Sequence, residues 1–452
     1  MDTTVAVDSA TNERVTPESA LAHATPALGR LNLEIAALLA MIAFGAMIVL
    51  DTLVFHQRVY GVSNANHMVY QAEAFLHGRW DLSMGRSVTD IVVLHGKNYI
   101  VYPPMPAIVM MPFVAIWGLH FSDVLFTLVA SSLNLGILYL MLEQARESGF
   151  TRRTRRDNII MALFFYFGTI NLWLSAGGRM WFTAHILCFS FTLLALLVAF
   201  RGRYGWGAAL LGCAFFCRAT AVFGFLFLFY LAWQNGRQEH LVERFAKSLW
   251  ARRPDWSAVP WRRLLAPALV GVGMLLLFML RNQVIFGNPF ETGYDILIKQ
   301  RYPVVTTGAF NVSYIPSNIV ANFFTFPRVT FTGPYDRHPV IDMLNGNGVA
   351  ISVFVTTPLF LLLFWRNRKF SLTRAALWAT VGLVVVAVLL FHAAGFFQFG
   401  ARYLFDGYPF AFLLLAMDDM PIDWRFLTLG ILGVGVNLLG ARQFWTFRIF
   451  HL

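Results

Sequence analysis

Ser63-Asn-Ala-Asn-His-Met-Val-Tyr-Gln-Ala-Glu-Ala-Phe-Leu-His-Gly-Arg-Trp-Asp81, then Asp90, then His95-Gly-Lys-Asn-Tyr-Ile-Val-Tyr-Pro-Pro-Met-Pro-Ala107 is the stretch that decides how this chain is read. It stands between the first two long apolar runs, is rich in His, Asn, Arg and Asp, and ends in clustered prolines and a short apolar piece, Ile108 to Leu119. A polar loop of this length in a mostly apolar chain is expected to lie on the outer face of a bilayer. There it would form much of a substrate site.

Around that loop the 452 residues are 58% apolar and 13% charged, with a mean hydropathy of +0.60. Soluble domains carry about 25% charged residues. Separated apolar runs long enough to cross ~30 Å of hydrocarbon define an all-α polytopic membrane protein. The formal charge of +11 comes from arginine, with lysine only at 97, 247, 299 and 369. In such a chain cations gather in cytoplasmic loops, so the bilayer is the expected partner and nucleic acid is not. Cys188, Cys213 and Cys217 fall inside apolar runs and are not placed to bridge an outer loop. Residues 1–32 read as a disordered cytoplasmic tail, and the first apolar run is too long for a signal-peptide core.

Charge sets the expected topology. Spans are expected near 33–55, 122–142, 158–175, 183–200, 264–284, 348–365, 374–397 and 425–445. Two shorter runs, 205–217 and 219–233, are split by Arg218, and another covers 408–418. Arg152, Arg153, Arg155 and Arg156 form one basic cluster. The connector 234–263 holds a second, and Arg366, Arg368, Lys369 and Arg374 a third. Placing all three in the cytoplasm, with the amino terminus, requires that 105–119 does not cross. As a helix it would reach only about 22 Å, and Pro106 and Pro112 interrupt it, so it reads as a re-entrant or surface helix. The expectation is a single bundle over 33–445 with about 11 transmembrane helices. Its outer loops are 56–121, 176–182, 285–347 and 396–407.

Within the first loop, Asn64 reads as a cap for an amphipathic surface helix over 65–77, with Tyr70 and Gln71 on a wet face. Asn66 and His67 stand at its start, close to the end of the first span. Asp81 and Asp90 are outer acids that could handle a proton, and Lys97 and Tyr102 precede the prolines. Arg179 and His185 lie at the outer end of their helix, where polar residues usually face a cavity. Arg218 is expected at the same level. Arg402 is a candidate for phosphate, and its spacing to Asp406 suits a pair on one helical turn. Trp173 and Trp181 read as interface anchors. No P-loop, zinc motif or serine triad is present, no metal-ligand set is read, and no internal repeat supports a transporter.

The helix of Tyr70, Phe75, Leu76 and Gly78, the run Gly96-Lys-Asn-Tyr-Ile-Val-Tyr-Pro-Pro-Met-Pro-Ala107, and Gly400, Arg402, Tyr403, Pro409 and Phe410 resemble one family. They are similar to the GT-C membrane glycosyltransferases, in the branch of protein mannosyltransferases and lipid A aminoarabinose transferases. The resemblance covers most of 33–410. It implies a polyprenyl-phosphate-linked sugar donor, inversion at the sugar carbon, and an outer-face Asp or Glu as base just before the first loop's helix. The matching positions here read Asn64-Ala-Asn66-His67, with no carboxylate. That leaves His67, Asp81 and Asp90 as catalytic candidates, or a chain that binds a lipid-linked glycan without transferring it. Asn66, Lys97, Tyr102, Arg179, His185, Arg218 and Arg402 are the expected substrate-binding residues. A bacterial plasma membrane is the expected location.

Overall fold

The computed structural model describes residues 28–84, 90–234, 241–301, 305–331, 339–344, 350–364, 371–393, 398–417 and 421–446. The expected tail up to residue 27, Arg237 of the connector, and Arg366, Arg368 and Lys369 lie outside the described residues.

The chain is an all-α polytopic membrane protein. In order, the first part comprises α1 (Arg30–Val54, ending in a π turn), α2 (His67–Leu76), the hairpin β1 (Ile91–Leu94) and β2 (Lys97–Ile100), α3 (Met105–Trp117) and α4 (Asp123–Glu147). Then come α5 (Arg155–Phe167), α6 (Asn171–Ser175), α7 (Met180–Ala199), α8 (Tyr204–Phe215), α9 (Gly224–Gln234), α10 (Leu241–Trp250) and α11 (Trp261–Phe286). The last part holds α12 (Tyr294–Arg301), α13 (Ile315–Ile319), β3 (Arg328–Phe331), β4 (Pro339–Asp342), α14 (Val353–Thr356), α15 (Leu372–Leu390), α16 (Tyr408–Met417) and α17 (Trp424–Thr446). The only sheets among the described residues are two antiparallel hairpins, β1–β2 and β3–β4.

Six helices among the described residues are long and apolar enough to cross a bilayer: α1, α4, α7, α11, α15 and α17. Their outward faces are oily: α11 exposes Leu265, Leu269, Val272 and Leu276. A soluble protein would bury such a stripe, so this one faces lipid. The first helix begins at Arg30, inside the expected tail, because Asn32 is buried and tied to α4. The Tyr139 hydroxyl donates to Asn32 Oδ1 at 3.0 Å, and the Asn32 amide donates to Glu147 at 3.3 Å.

Two stretches expected as single spans are broken. The run 158–175 divides into α5 and α6, and 348–365 into α14 and a 3-10 turn, Pro358–Leu363. Broken backbone inside a membrane must be satisfied by protein. Here the Thr169 hydroxyl accepts from Asn171 N at 3.2 Å, and the Asn437 amide donates to Thr356 O at 2.7 Å. The α5–α6 break tucks Trp173 fully inside, among Phe182, Phe399 and Phe444. Trp173 is therefore a core residue, not the interface anchor expected.

The core runs through α7, which packs between α4 and α8. Phe165 stacks on Phe189 at 4.6 Å and meets Phe412 edge-on at 4.7 Å, joining α5, α7 and α16 at its centre. Glycine permits one close approach: a Cβ on Gly136 would sit 2.6 Å from Ala36 O, so α4 touches the α1 backbone. Arg153, from the first basic cluster, is buried and donates to the carbonyls of Leu415 and Ala416, capping the carboxyl end of α16.

Candidate functional site

The first loop is folded down onto the bundle. Its helix starts at His67, so Asn66 rather than Asn64 occupies the cap position, with no side-chain cap bond. The Ala65 carbonyl instead accepts from Met180 N at 3.0 Å, pinning the start of α2 to the start of α7. α2 packs against α3, and Met68, Val69, Ala72, Met110 and Met180 share one apolar cluster. Gln71 is buried as well, which corrects the wet face expected for it. The helix is covered on both sides rather than lying flat on water.

The proline signature is held by a residue that the sequence reading passed over. Arg281, near the end of α11, is buried and donates to the carbonyls of Ile100, Val101 and Tyr102 at 3.2, 3.2 and 3.3 Å. Met105 N donates to Phe216 O at 2.9 Å, tying the start of α3 to the end of α8. An irregular, donor-poor segment at the membrane surface thereby has its backbone satisfied. Arg281→Met leaves three carbonyls without this donor and is expected to cost about 2 kcal/mol. A thermal melt of purified protein reads that loss. The available signal was a cation at the end of an apolar run, the same signal that marked Arg218.

Two polar assemblies meet above the core. In the first, Asp90 Oδ2 accepts from the Trp181 indole at 2.8 Å and from the Tyr102 hydroxyl at 3.1 Å. Asp90 is nearly buried and has positive φ, 63°. Burial, and then the Asp90 charge, push the Tyr102 phenol well above its usual range, so it stays a donor. Tyr294 of α12 packs edge-on against Tyr102, and burial pushes its phenol up to about 12. Trp181 is thus part of this assembly, not a lipid-facing anchor.

In the second assembly, Asp406 is fully buried. It accepts from Arg218 Nε at 2.7 Å and contacts His185 Nδ1 at 2.9 Å and the Thr220 hydroxyl. The expected Arg402–Asp406 pair does not form. Arg402 and Asp406 lie on a 3-10 turn, Arg402–Gly407, whose tighter winding does not superpose residues four apart as an α-helix does. The Asp406 carboxylate is spent on Arg218 and His185. The guanidinium of Arg402 lies instead over Tyr403, Trp181 and Phe182, at 5.0, 5.9 and 5.9 Å, and donates to the Tyr403 hydroxyl at 3.1 Å.

Trp181 joins the two assemblies, with its nitrogen on Asp90 and its ring beneath Arg402. Two buried nitrogens there are unmatched, Arg402 Nε and His185 Nε2. Buried groups of this kind cost free energy unless a ligand or water completes them. A buried guanidinium edge suits an anionic oxygen such as a phosphate, while His185, whose Nδ1–H faces the Asp406 carboxylate, leaves Nε2 as an acceptor for a hydroxyl or water.

The other expected site residues lie apart from this centre. Lys97, at the exposed tip of the β1–β2 hairpin, pairs with Asp81 at 3.4 Å, with Arg79 4.0 Å from the same carboxylate. Arg179 is buried against Trp445, 5.0 Å from its ring, on the flank toward α17. His67 is buried and Asn66 half-buried at the start of α2. Tyr102, His185, Arg218, Arg402 and Asp90 are the expected residues that come together. Trp181, Tyr294, Thr220 and Asp406 complete the group. Among the described residues, no cluster of three or more His, Cys, Asp or Glu is arranged to hold a metal ion.

No family model and no curated protein matches the chain. Among solved structures it is similar to ArnT from Cupriavidus metallidurans bound to undecaprenyl phosphate, at 14% identity and a TM-score of 0.46, over 88% of this chain and 62% of that one. It is also similar to the apo oligosaccharyltransferase of Archaeoglobus fulgidus, at 11% identity and a TM-score of 0.46, over 91% and 56% of the two chains. A third similar structure is AglB of the same archaeon with an inhibitory peptide and a dolichol-phosphate, at 11% identity and a TM-score of 0.46, over 92% and 56%. The chain spans less than two thirds of the length of each.

Proposed function

We propose that this protein is a membrane glycosyltransferase that moves a sugar from a polyprenyl-phosphate-linked donor to a lipid, glycan or protein acceptor on the outer face of the membrane. The carrying observation is the buried Arg402 guanidinium, its Nε unmatched, one indole away from the Asp90 carboxylate. A phosphate leaving group and a proton acceptor are what such a transfer needs at neighbouring positions. The Tyr-Pro-Pro-Met-Pro element held by Arg281 supports the same reading.

In the proposed step the acceptor hydroxyl passes its proton to Asp90 as its oxygen bonds to the sugar carbon from the face opposite the phosphate. The sugar–phosphate C–O bond breaks and polyprenyl phosphate leaves with the electron pair. Its charge is met by Arg402, whose orientation is fixed by Trp181, Phe182 and Tyr403. Arg218 and His185 act through Asp406 as positioning residues, holding the turn that carries Arg402. The outer face meant here is the one opposite the arginine clusters, which with the amino terminus would lie in the cytoplasm.

Arg402→Ala is expected to weaken binding of polyprenyl phosphate about 10- to 100-fold, the scale of a lost charge-assisted contact of 1.5–3 kcal/mol. Arg402→Lys recovers only part of it, because a lysine lacks the planar fork. Equilibrium binding of a labelled polyprenyl phosphate in nanodiscs reads both variants.

A second reading, a lipid-linked-glycan binder that performs no transfer, is favoured by one observation: Asn64, Asn66 and His67 stand where the family resemblance calls for an acid. Under that reading, replacing His67, Asp81 and Asp90 together leaves glycan binding and cell-surface glycan unchanged.

A further inference from the structure

At the end of the bundle opposite the polar site, a groove of about 720 Å³ opens between the starts of α8 and α11. The separation follows from the helices themselves. α8 runs from Tyr204 in the groove toward Arg218, and α11 runs from its arginines in the groove to Arg281 under the proline signature. At 1.5 Å per residue α11 sets its arginines roughly 28 Å from Arg281, close to a membrane thickness, and the shorter α8 covers roughly 21 Å of the same direction.

Three arginines line the groove, Arg203, Arg262 and Arg263, and no carboxylate is among its lining residues. Around it, residues 241–263 carry six cations (Arg244, Lys247, Arg252, Arg253, Arg262, Arg263) against two acids, Glu243 and Asp255. Both acids are already engaged locally, Glu243 with Lys247 at 2.7 Å and Asp255 with Arg244 at 2.6 Å. Below the arginines the wall turns apolar, through Ala209, Ala266 and Val270, and continues into the lipid-facing stripe of Leu265 and Leu269. Trp206 and Trp261, 68% and 60% exposed, stand at the level where indoles sit in a bilayer interface. Gly205 keeps the cleft open, since a Cβ there would already touch the Cβ of Ala266 at 3.4 Å.

We propose that this groove binds an anionic phospholipid of the leaflet at the arginine-rich end. Its phosphate sits among Arg203, Arg262 and Arg263, and one acyl chain runs along Ala209, Ala266 and Val270. Guanidinium groups suit a phosphate because they offer paired donors in a plane. Other ligands fit the groove less well: a free phosphate leaves the apolar wall bare, and a zwitterionic lipid sets its own cation against the arginines. The inference is independent of the sugar transfer proposed above, because it concerns a separate place in the fold.

The test is native mass spectrometry of the full-length protein, released from nanodiscs of phosphatidylcholine doped with phosphatidylglycerol. The wild type should retain phosphatidylglycerol in preference to phosphatidylcholine, and excess inorganic phosphate should not displace it. Arg203→Ala/Arg262→Ala should lower that retention at least tenfold with an unchanged thermal melt in phosphatidylcholine. Arg203→Lys/Arg262→Lys, which keeps the charge, should lie between the two. Equal retention of both lipids by the wild type, or unchanged phosphatidylglycerol retention in the alanine variant, would overturn the proposal.

Discussion

Asp406→Ala lowers the stability of the folded protein by about 3–5 kcal/mol, the cost of stranding one member of a buried ion pair. The carboxylate has no exposure and collects His185 from α7 and Arg218 and Thr220 from the turn after α8. Without it a guanidinium with 13% side-chain exposure loses its counter-charge, and the 3-10 turn bearing Arg402 loses its anchor. Removing both charges should be far milder: Asp406→Leu/Arg218→Met is expected to recover more than half of the loss. Thermal melts of Asp406→Leu, Arg218→Met and the double variant form the cycle that reads the coupling. Loss from Asp406→Ala below about 1 kcal/mol would show that the pair does not organise this end of the bundle.

Asp90→Asn should reduce turnover about 10²- to 10⁴-fold, the contribution usual for a positioned general base. The substitution is a clean one for a structural reason. Asp90 sits at φ 63°, in the left-handed region that asparagine tolerates better than most residues. The amide oxygen can still accept from Trp181 and Tyr102, so the loop should hold its place. Donor affinity and melting temperature are therefore expected to stay near wild type while the chemical step fails. Asp81→Asn is the matched control. Its carboxylate faces Lys97 at the exposed hairpin tip and Arg79 after α2, and its loss should change turnover less than twofold. An Asp81→Asn variant as impaired as Asp90→Asn would remove the distinction drawn between the two acids.

The fold was legible where hydrophobic run length and charge agree. The long apolar helices, the split at Arg218 and the short α3 follow from run lengths, prolines and arginine clusters. Of the candidate site, the sequence showed a set of polar residues near one end of several helices, and Tyr102, His185, Arg218 and Arg402 of that set lie together in the structure. Pairing was not legible. The spacing of Arg402 and Asp406 fits a helical turn, yet the 3-10 geometry there and the approach of His185 and Arg218 from elsewhere assign the carboxylate differently. Trp173 and Trp181 show the same limit, because an indole near a span end has one composition and two destinations. Trp173 went to the core through the α5–α6 break, and Trp181 to Asp90. Arg281 was missed because its partners are backbone carbonyls, which no side-chain pattern announces.

The central claim is that this site transfers a sugar from a lipid phosphate, and the most direct measurement is release of polyprenyl phosphate. Purified protein in liposomes would be given a panel of radiolabelled polyprenyl-phosphate sugars with a membrane extract as acceptor source. Wild-type protein should release the free carrier from at least one donor, Asp90→Asn should release almost none while still binding that donor, and Arg402→Ala should bind it weakly. Donor binding by the wild type with no carrier released from any member of the panel would contradict the account.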